Sequence, residues 1–313
     1  MEKRKIVIDC DPGNDDATAI LMANAAPNLE ILGVSTVAGN LNADITAYNA
    51  LAVADYLGMD VPVTRGAYPL MKKYEPLDVS VMGASGLGRA VLPKPKKQLD
   101  RRTSTELLRD LIEENASNID ILALGPLTNL ALLLLQYPGC RSKIHSIVLM
   151  GGAVEGGNST PRTEFNIYTD AEAAKIVFHA GIPTTMIGID VCGKTFVTAE
   201  DMAALTAGGG KAAKFVADMM FYPGDDQHPF PKEGILIYDA LAAAAMIDPG
   251  IVHTEKYYVD VETKGEITYG ETVVDRHNFL KKEPNIDVGL ESDREAFLAL
   301  LAKSIAYYDG GKA

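Results

Sequence analysis

Four carboxylates, Asp9, Asp11, Asp15 and Asp16, fall within eight residues in the run IDCDPGNDDA. Like charges this close repel unless protons, hydrogen bonds or a cation offset them. Asp15 and Asp16 alone would suit a helix N-terminus, where the macrodipole favours acids. Asp9 and Asp11 are harder to explain that way, because they follow an apolar strand-like run. Hard divalent cations take oxygen donors, and Ca2+ gathers about six to eight of them, carboxylates and backbone carbonyls alike. Pro12-Gly13 turns the chain so that Asp11, Asp15 and Asp16 can face one point. Their offsets are not those of an EF-hand, and no Glu closes the loop. A cation here would lower the pKa of a bound water, and a neighbouring aspartate could accept its proton. The spacing points to a cation site and leaves the reaction open.

Such a cluster has to be positioned, and the flanking chain supplies the elements. KIVID (5–9) reads as a strand leading to a helix from about Asp15 to Ala25, and LEILGVSTV (29–37) as a strand leading to a helix over Ala43–Leu57. A helix near Thr103–Asn115 precedes the strand IDILAL (119–124) and a helix over Leu127–Gln136. HSIVLM (145–150) leads through a polar loop to Ala171–Ala180, and PTTMIG (183–188) to a helix opened by Thr198, with Asp201 completing a capping box. Continuous apolar strands alternating with helices predict an open, mainly parallel, Rossmann-like α/β sheet covered on both faces. The segment 255–275 predicts antiparallel strands with a Lys264-Gly265 turn, a small addition to that sheet, and Ser292 with Glu295 predicts the cap of a last helix to Tyr308. One α/β domain over 1–313 is expected. Ligands of such sheets bind beyond the carboxyl ends of the strands. The polar clusters DPGNDD, AGN (38–40), GPLTN (125–129) and GGAVEGGNSTPRTEFN (151–166) all stand there. They form one site if the sheet order brings those four ends together.

Composition narrows the partners. The 313 residues carry 29 basic and 42 acidic side chains, a net charge of −13, which argues against nucleic acid or an anionic membrane. Cys10, Cys140 and Cys192 lack metal-type spacing and suit reduced thiols. The first residues do not read as a signal peptide, and the stretch ILALGPLTNLALLLLQY is broken by Gly-Pro and Asn129. A soluble cytoplasmic protein is expected.

The motif DCDPGNDDATAI resembles the N-terminal signature of the inosine–uridine-preferring nucleoside hydrolases, DxDPGxDDAxAI. The similarity continues in family order through TVAGN (36–40), LGPLTNLA (124–131), VLMGGA (148–153), EGGNSTPRTEFNIYTDAEAA (155–174) and YDALAAAAMIDP (238–249). The resemblance implies the nucleoside hydrolase fold and a Ca2+-dependent hydrolysis of the N-glycosidic bond of ribonucleosides by direct attack of a metal-held water. The products would be ribose and a free base, as in nucleoside catabolism and salvage. It implies Asp11, Asp15, Asp16, Asp239 and the Leu124 carbonyl as calcium ligands, with Asp15 also the general base. It further implies Asn40, Asn158, Glu164 and Asn166 as ribose-binding groups beside Asp239, with Met150 lining that pocket, and a homodimer or homotetramer. Negative charge near an oxocarbenium-like transition state is stabilising, and attack by water predicts inversion at the anomeric carbon.

The match departs from the family around the base. Tyr238 stands where many members carry a histidine implicated in protonating the leaving base, and Met82 where pyrimidine-preferring members carry another. Tyrosine, titrating near pKa ~10, is a poorer donor than imidazolium at neutral pH. Tyr222 and His228, in the loop FYPGDDQHPFP (221–231), are the replacements considered, and the absence of Trp excludes indole stacking on a purine. Two rivals stay open here. One is a nucleoside- or ribose-binding protein that has lost catalysis. The other is a Mg2+-dependent haloacid-dehalogenase-type phosphatase with Asp9 as nucleophile and Asp11 as acid, although PGNDDA fits its first motif poorly.

Overall fold

The computed structural model describes residues 3–70, 83, 85–220 and 234–310. Its strands are β1 (Arg4–Cys10), β2 (Leu29–Thr36), β3 (Val63–Thr64), β4 (Ile119–Ala123), β5 (Ser146–Met150), β6 (Thr184–Ile187), β7 (Phe196–Val197), β8 (Ile235–Leu236), β9 (Val252–Tyr257), β10 (Val259–Val261), β11 (Thr272–Val274) and β12 (Ile286–Ser292). The helices are α1 (Asn14–Ala25), α2 (Ala43–Tyr56), α3 (Ser104–Glu114), α4 (Thr128–Gln136), α5 (Phe165–Thr169), α6 (Ala171–Phe178), α7 (Ile189–Cys192), α8 (Ala199–Thr206), α9 (Lys211–Met219), α10 (Tyr238–Ile247) and α11 (Arg294–Tyr308).

The main sheet runs β3-β2-β1-β4-β5-β6-β12-β9, parallel throughout except for β9. Strand side chains alternate between the faces, so each apolar strand feeds two cores. Ile6, Ile8 and Cys10 of β1 join Leu122, Val148 and Met150 in the core under α1, α2, α9, α10 and α11. Val7, Ile121, Ala123, Ile147 and Leu149 face the opposite core, under α3, α4 and α6. This is the open parallel sheet with helices on both faces that the apolar pattern predicts.

Three expectations need correction. The segment 255–275 divides: β9 pairs antiparallel with β12 at the sheet edge, whereas β10 and β11 form a separate ribbon. Lys264-Gly265 is no tight turn between those strands. Both N–H groups bind Glu262 Oε1, at 2.7 and 3.1 Å, inside a wider loop closed by Glu262 N to Glu271 O at 2.9 Å. The last helix is capped by Asp293, whose Oδ1 accepts Ala296 N–H at 3.0 Å. Ser292 ends β12 and its hydroxyl meets Thr195 instead. The capping box at Thr198 and Asp201 is as predicted, with reciprocal bonds of 2.8 and 3.0 Å.

Candidate metal centre

The order β2-β1-β4-β5 sets side by side the four strand ends that carry polar clusters. The chain leaves β1 toward β2 on one side and crosses to β4 on the other, so β1 and β4 flank the switch point where such sheets open a crevice. Into it β1 delivers Asp11 and the first turn of α1 delivers Asp15 and Asp16. Asp239 comes from the first turn of α10, which packs beside α1.

Carboxylate oxygens of Asp15, Asp16 and Asp239 lie within 4.8 Å of one another. Asp16 braces the turn: Oδ1 accepts Asp11 N–H at 3.1 Å and Oδ2 accepts Gly13 N–H at 2.9 Å. Asp11 Oδ2 accepts Asn40 N–H at 2.6 Å, while its other oxygen, Oδ1, is buried with no hydrogen-bond partner. The backbone approaches closely on both sides of this carboxylate. A Cβ at Gly39 would overlap Asp11 Oδ2, and one at Gly125 would lie 2.5 Å from the orphaned Oδ1. Only a bare backbone fits at these two positions.

Burial raises all four acids, and the charges acting on them are other carboxylates. Burial and then Asp16 push Asp11 well above the usual range, and burial followed by Asp15, Asp16 and Asp11 does the same to Asp239. Asp16 rises to about 7 from burial and from Asp15. Asp15, partly buried, rises to about 6 through burial, restrained by backbone N–H groups including that of Asp239. An unpartnered buried oxygen and converging acids are what a cation relieves, so the donor set fits a metal ion. Asp9, by contrast, stays outside the cluster. It receives hydrogen bonds from the Ser35 hydroxyl and from Asn129 Nδ2, the latter at 2.8 Å, and burial lifts it to about 6.

The β5 side of the crevice is built by the loop 151–166. Glu164, 2% exposed, caps α5: Oε1 accepts Asn166 N–H and Oε2 accepts Ile167 and Gly152 N–H, all within 3.1 Å. Burial raises it to about 7. Asn166 Nδ2 clips together two strand ends, donating to Leu124 O at 2.9 Å and Met150 O at 3.1 Å. The structure thus brings Asp11, Asp15, Asp16, Asp239, Asn40, Leu124, Asn166 and Met150 to one region, with Glu164 joined through Asn166. Asn158 is exposed and its Oδ1 accepts Phe165 N–H at 2.9 Å within its own loop. Tyr238, the first residue of α10, is half-buried next to Asp239. Met82, Tyr222 and His228 lie outside the described residues.

Several supports escape sequence reasoning. Thr272 Oγ1 both accepts Ala153 N–H at 2.9 Å and donates to Ala153 O at 2.6 Å, and Asp190 accepts Val154 and Glu155 N–H. Asn129, visible only as part of GPLTN, also donates to Thr36 O at 2.7 Å. A polar residue inside an apolar run was the available signal for Asn129; nothing local marks Thr272.

The family model for inosine-uridine preferring nucleoside hydrolases matches residues 6–299. The pyrimidine-specific ribonucleoside hydrolase RihA of Salmonella enteritidis PT4 is 41% identical over 309 residues, which span 97% of this chain and 98% of that protein. RihA of Shewanella woodyi is 40% identical over 310 residues, 97% and 99% of the two chains. Among solved structures, the purine-preferring ribonucleoside hydrolase from Gardnerella vaginalis superposes with a TM-score of 0.90 at 32% identity, covering 96% of this chain and 98% of its own. No helix among the described residues is long and apolar enough to cross a membrane.

Proposed function

The chain belongs to the inosine-uridine preferring nucleoside hydrolase family and is a ribonucleoside hydrolase; from that premise we propose that it cleaves the N-glycosidic bond with calcium as its cation, acting as a single α/β unit over 1–313. The observation that carries this reading is the orphaned, buried Asp11 Oδ1 among converging carboxylates at the β1/β4 switch point. Asp11, Asp15, Asp16, Asp239 and the Leu124 carbonyl would hold the ion, and an all-oxygen set suits calcium. When bound, the ion supplies the charge that activates water and orients sugar hydroxyls.

Everything else falls to the chain. Asp15, less buried than Asp16 and held by the Asp239 N–H, accepts the proton of the attacking water. Asn40, Asn158, Glu164 and Asn166 bind the ribose hydroxyls, with Met150 against the sugar, which holds the anomeric carbon in line with the water. The excess of negative charge stabilises the oxocarbenium-like transition state, and a single displacement inverts the anomeric carbon. By resemblance alone, Tyr238 and His228 are assigned as donors toward the leaving base and Tyr222 and Met82 as base-binding residues. A homodimer or homotetramer in the cytoplasm, serving nucleoside salvage, completes the proposal.

The test is a turnover panel over inosine, adenosine, uridine and cytidine, with and without chelator. Release of ribose and free base, lost on chelation and restored by calcium, is the expected result. Chelator-resistant turnover would sink the metal reading.

A further inference from the structure

Two asparagines tie the cation loop to parts of the chain that carry none of its ligands. Asn49, 2% exposed on α2, uses its amide nitrogen twice, donating to Pro12 O at 2.9 Å and to Ser85 O at 2.8 Å. Asn14, 3% exposed in the first turn of α1, donates to Met219 O at the end of α9, at 3.1 Å. Pro12 and Asn14 belong to the turn that bears Asp11, Asp15 and Asp16; Ser85 and Met219 do not. Those two outer segments also meet each other, since Arg89 N donates to Asp218 O at 2.8 Å. Gly88, at φ +59°, makes that approach: a Cβ there would stand 2.5 Å from the same carbonyl. The cation turn, Ser85–Arg89 and the end of α9 therefore close a circuit of hydrogen bonds. Gly86 backs onto Leu41, just past the end of β2, so the circuit lies on the β2 side of the crevice, across from the Glu164 loop beyond β5.

We propose that Asn49 and Asn14 are positioning residues that yoke this rim of the site to the cation turn, so that cation affinity and substrate affinity rise and fall together. The inference rests on the reading that the turn holds a divalent cation and the crevice a ribonucleoside. A turn that must hold converging carboxylates against their repulsion needs its backbone restrained from outside. Asn49 restrains it at Pro12, beside Asp11, and Asn14 restrains it beside Asp15. The same two amides hold the rim at Ser85 and Met219. With their amides engaged on backbone carbonyls, both act through the turn.

The experiment compares Asn49→Ala with Asn285→Ala in the full chain. Asn285 bridges two carbonyls in the same manner, Phe178 O and Val259 O at 3.0 Å each, at the opposite end of the sheet. Calcium binding is titrated calorimetrically without substrate, and KM and kcat are measured at saturating calcium. Asn49→Ala is expected to lose about tenfold in calcium affinity and to raise KM, with kcat nearly kept, the scale of effect seen when supports of metal ligands are removed. Asn285→Ala is expected to lower the melting temperature alone. Asn14→Ala cuts a single tie and gives the same two shifts, smaller; it decides the matter where Asn49→Ala does not fold. Wild-type calcium affinity and KM in the Asn49 or Asn14 variant, or equal shifts in Asn285→Ala, would overturn the coupling. A wild-type chain that neither binds calcium nor releases ribose sinks the functional reading instead, which keeps the two failures apart.

Discussion

The same sheet buries aspartates at both of its ends, and treats them in opposite ways. At the amino end, Asp120 of β4 is surrounded by donors: Arg4 Nε at 3.1 Å and Nη2 at 2.9 Å, His145 Nδ1 at 2.7 Å and the Ser146 hydroxyl. Burial would raise it, but Ser146, His145 and Arg4 outweigh that and hold it below the usual carboxylate range. At the carboxyl end, Asp11 and Asp239 are as buried, face other acids and are driven up. The first arrangement is complete within the chain, and the second leaves its acids facing one another in a geometry that could hold a cation. Buried charge that the fold leaves uncompensated marks a site; buried charge that it neutralises is structural.

Removing a carboxylate from each end sharpens this contrast most. Asp15→Asn should lower kcat by about 10²–10⁴-fold, the usual worth of a positioned base, with the circular dichroism spectrum unchanged. Undiminished turnover in that variant would remove Asp15 from the proton transfer. Asp120→Ala should do the reverse. It strands a partly exposed Arg4, so unfolding free energy should drop by about 2–3 kcal/mol, at or below the low end for broken buried pairs, while kcat per folded molecule stays unchanged. A loss of turnover there without a loss of stability would break the comparison.

The smallest effect is in the pH dependence, where the two ends have opposite signs. Asp15 and Asp16, raised to about 6 and about 7, bind protons more tightly in the folded chain than in the unfolded one. Their contribution is therefore present at low pH and declines as pH rises from about 4 to about 7. A bound cation holds them ionised and offsets that decline. The gap in melting temperature between calcium-loaded and chelated protein should widen from about pH 5 to about pH 8, by an amount on the order of 1–3 kcal/mol in stability. Asp120, held low, contributes stability above about pH 4 that is lost as pH falls further. Thermal melts across pH check both; a gap that does not change with pH would contradict the cluster's role.

What could be read in advance follows the range of the physics involved. Asp11, Asp15 and Asp16 were legible because a strand, a turn and a helix start share one stretch of chain. Asp239, Glu164 and Asn166 were reachable only by resemblance, since nothing local shows that α10 packs on α1 or that α5 starts beside β5. Ser35, Asn129 and Asn49 were not legible as supports, because a buried polar group's partner is a tertiary fact. β12 escaped because Asp287, Gly289 and Glu291 interrupt its apolar pattern and a register shift falls between the last two. Missing β12 displaced the following cap by one residue, from Asp293 to Ser292.

β12 also sets an order of assembly. It lies between β6 and β9, although it is made after both. While the chain is emerging from the ribosome, β6 keeps an open edge and β9 has no seat in the sheet until residues 286–292 appear. A product truncated before that point leaves the flank of β6 bare, and bare strand edges pair with whatever copy is nearest. β12, made after both of its neighbours, is thus the strand that covers this edge.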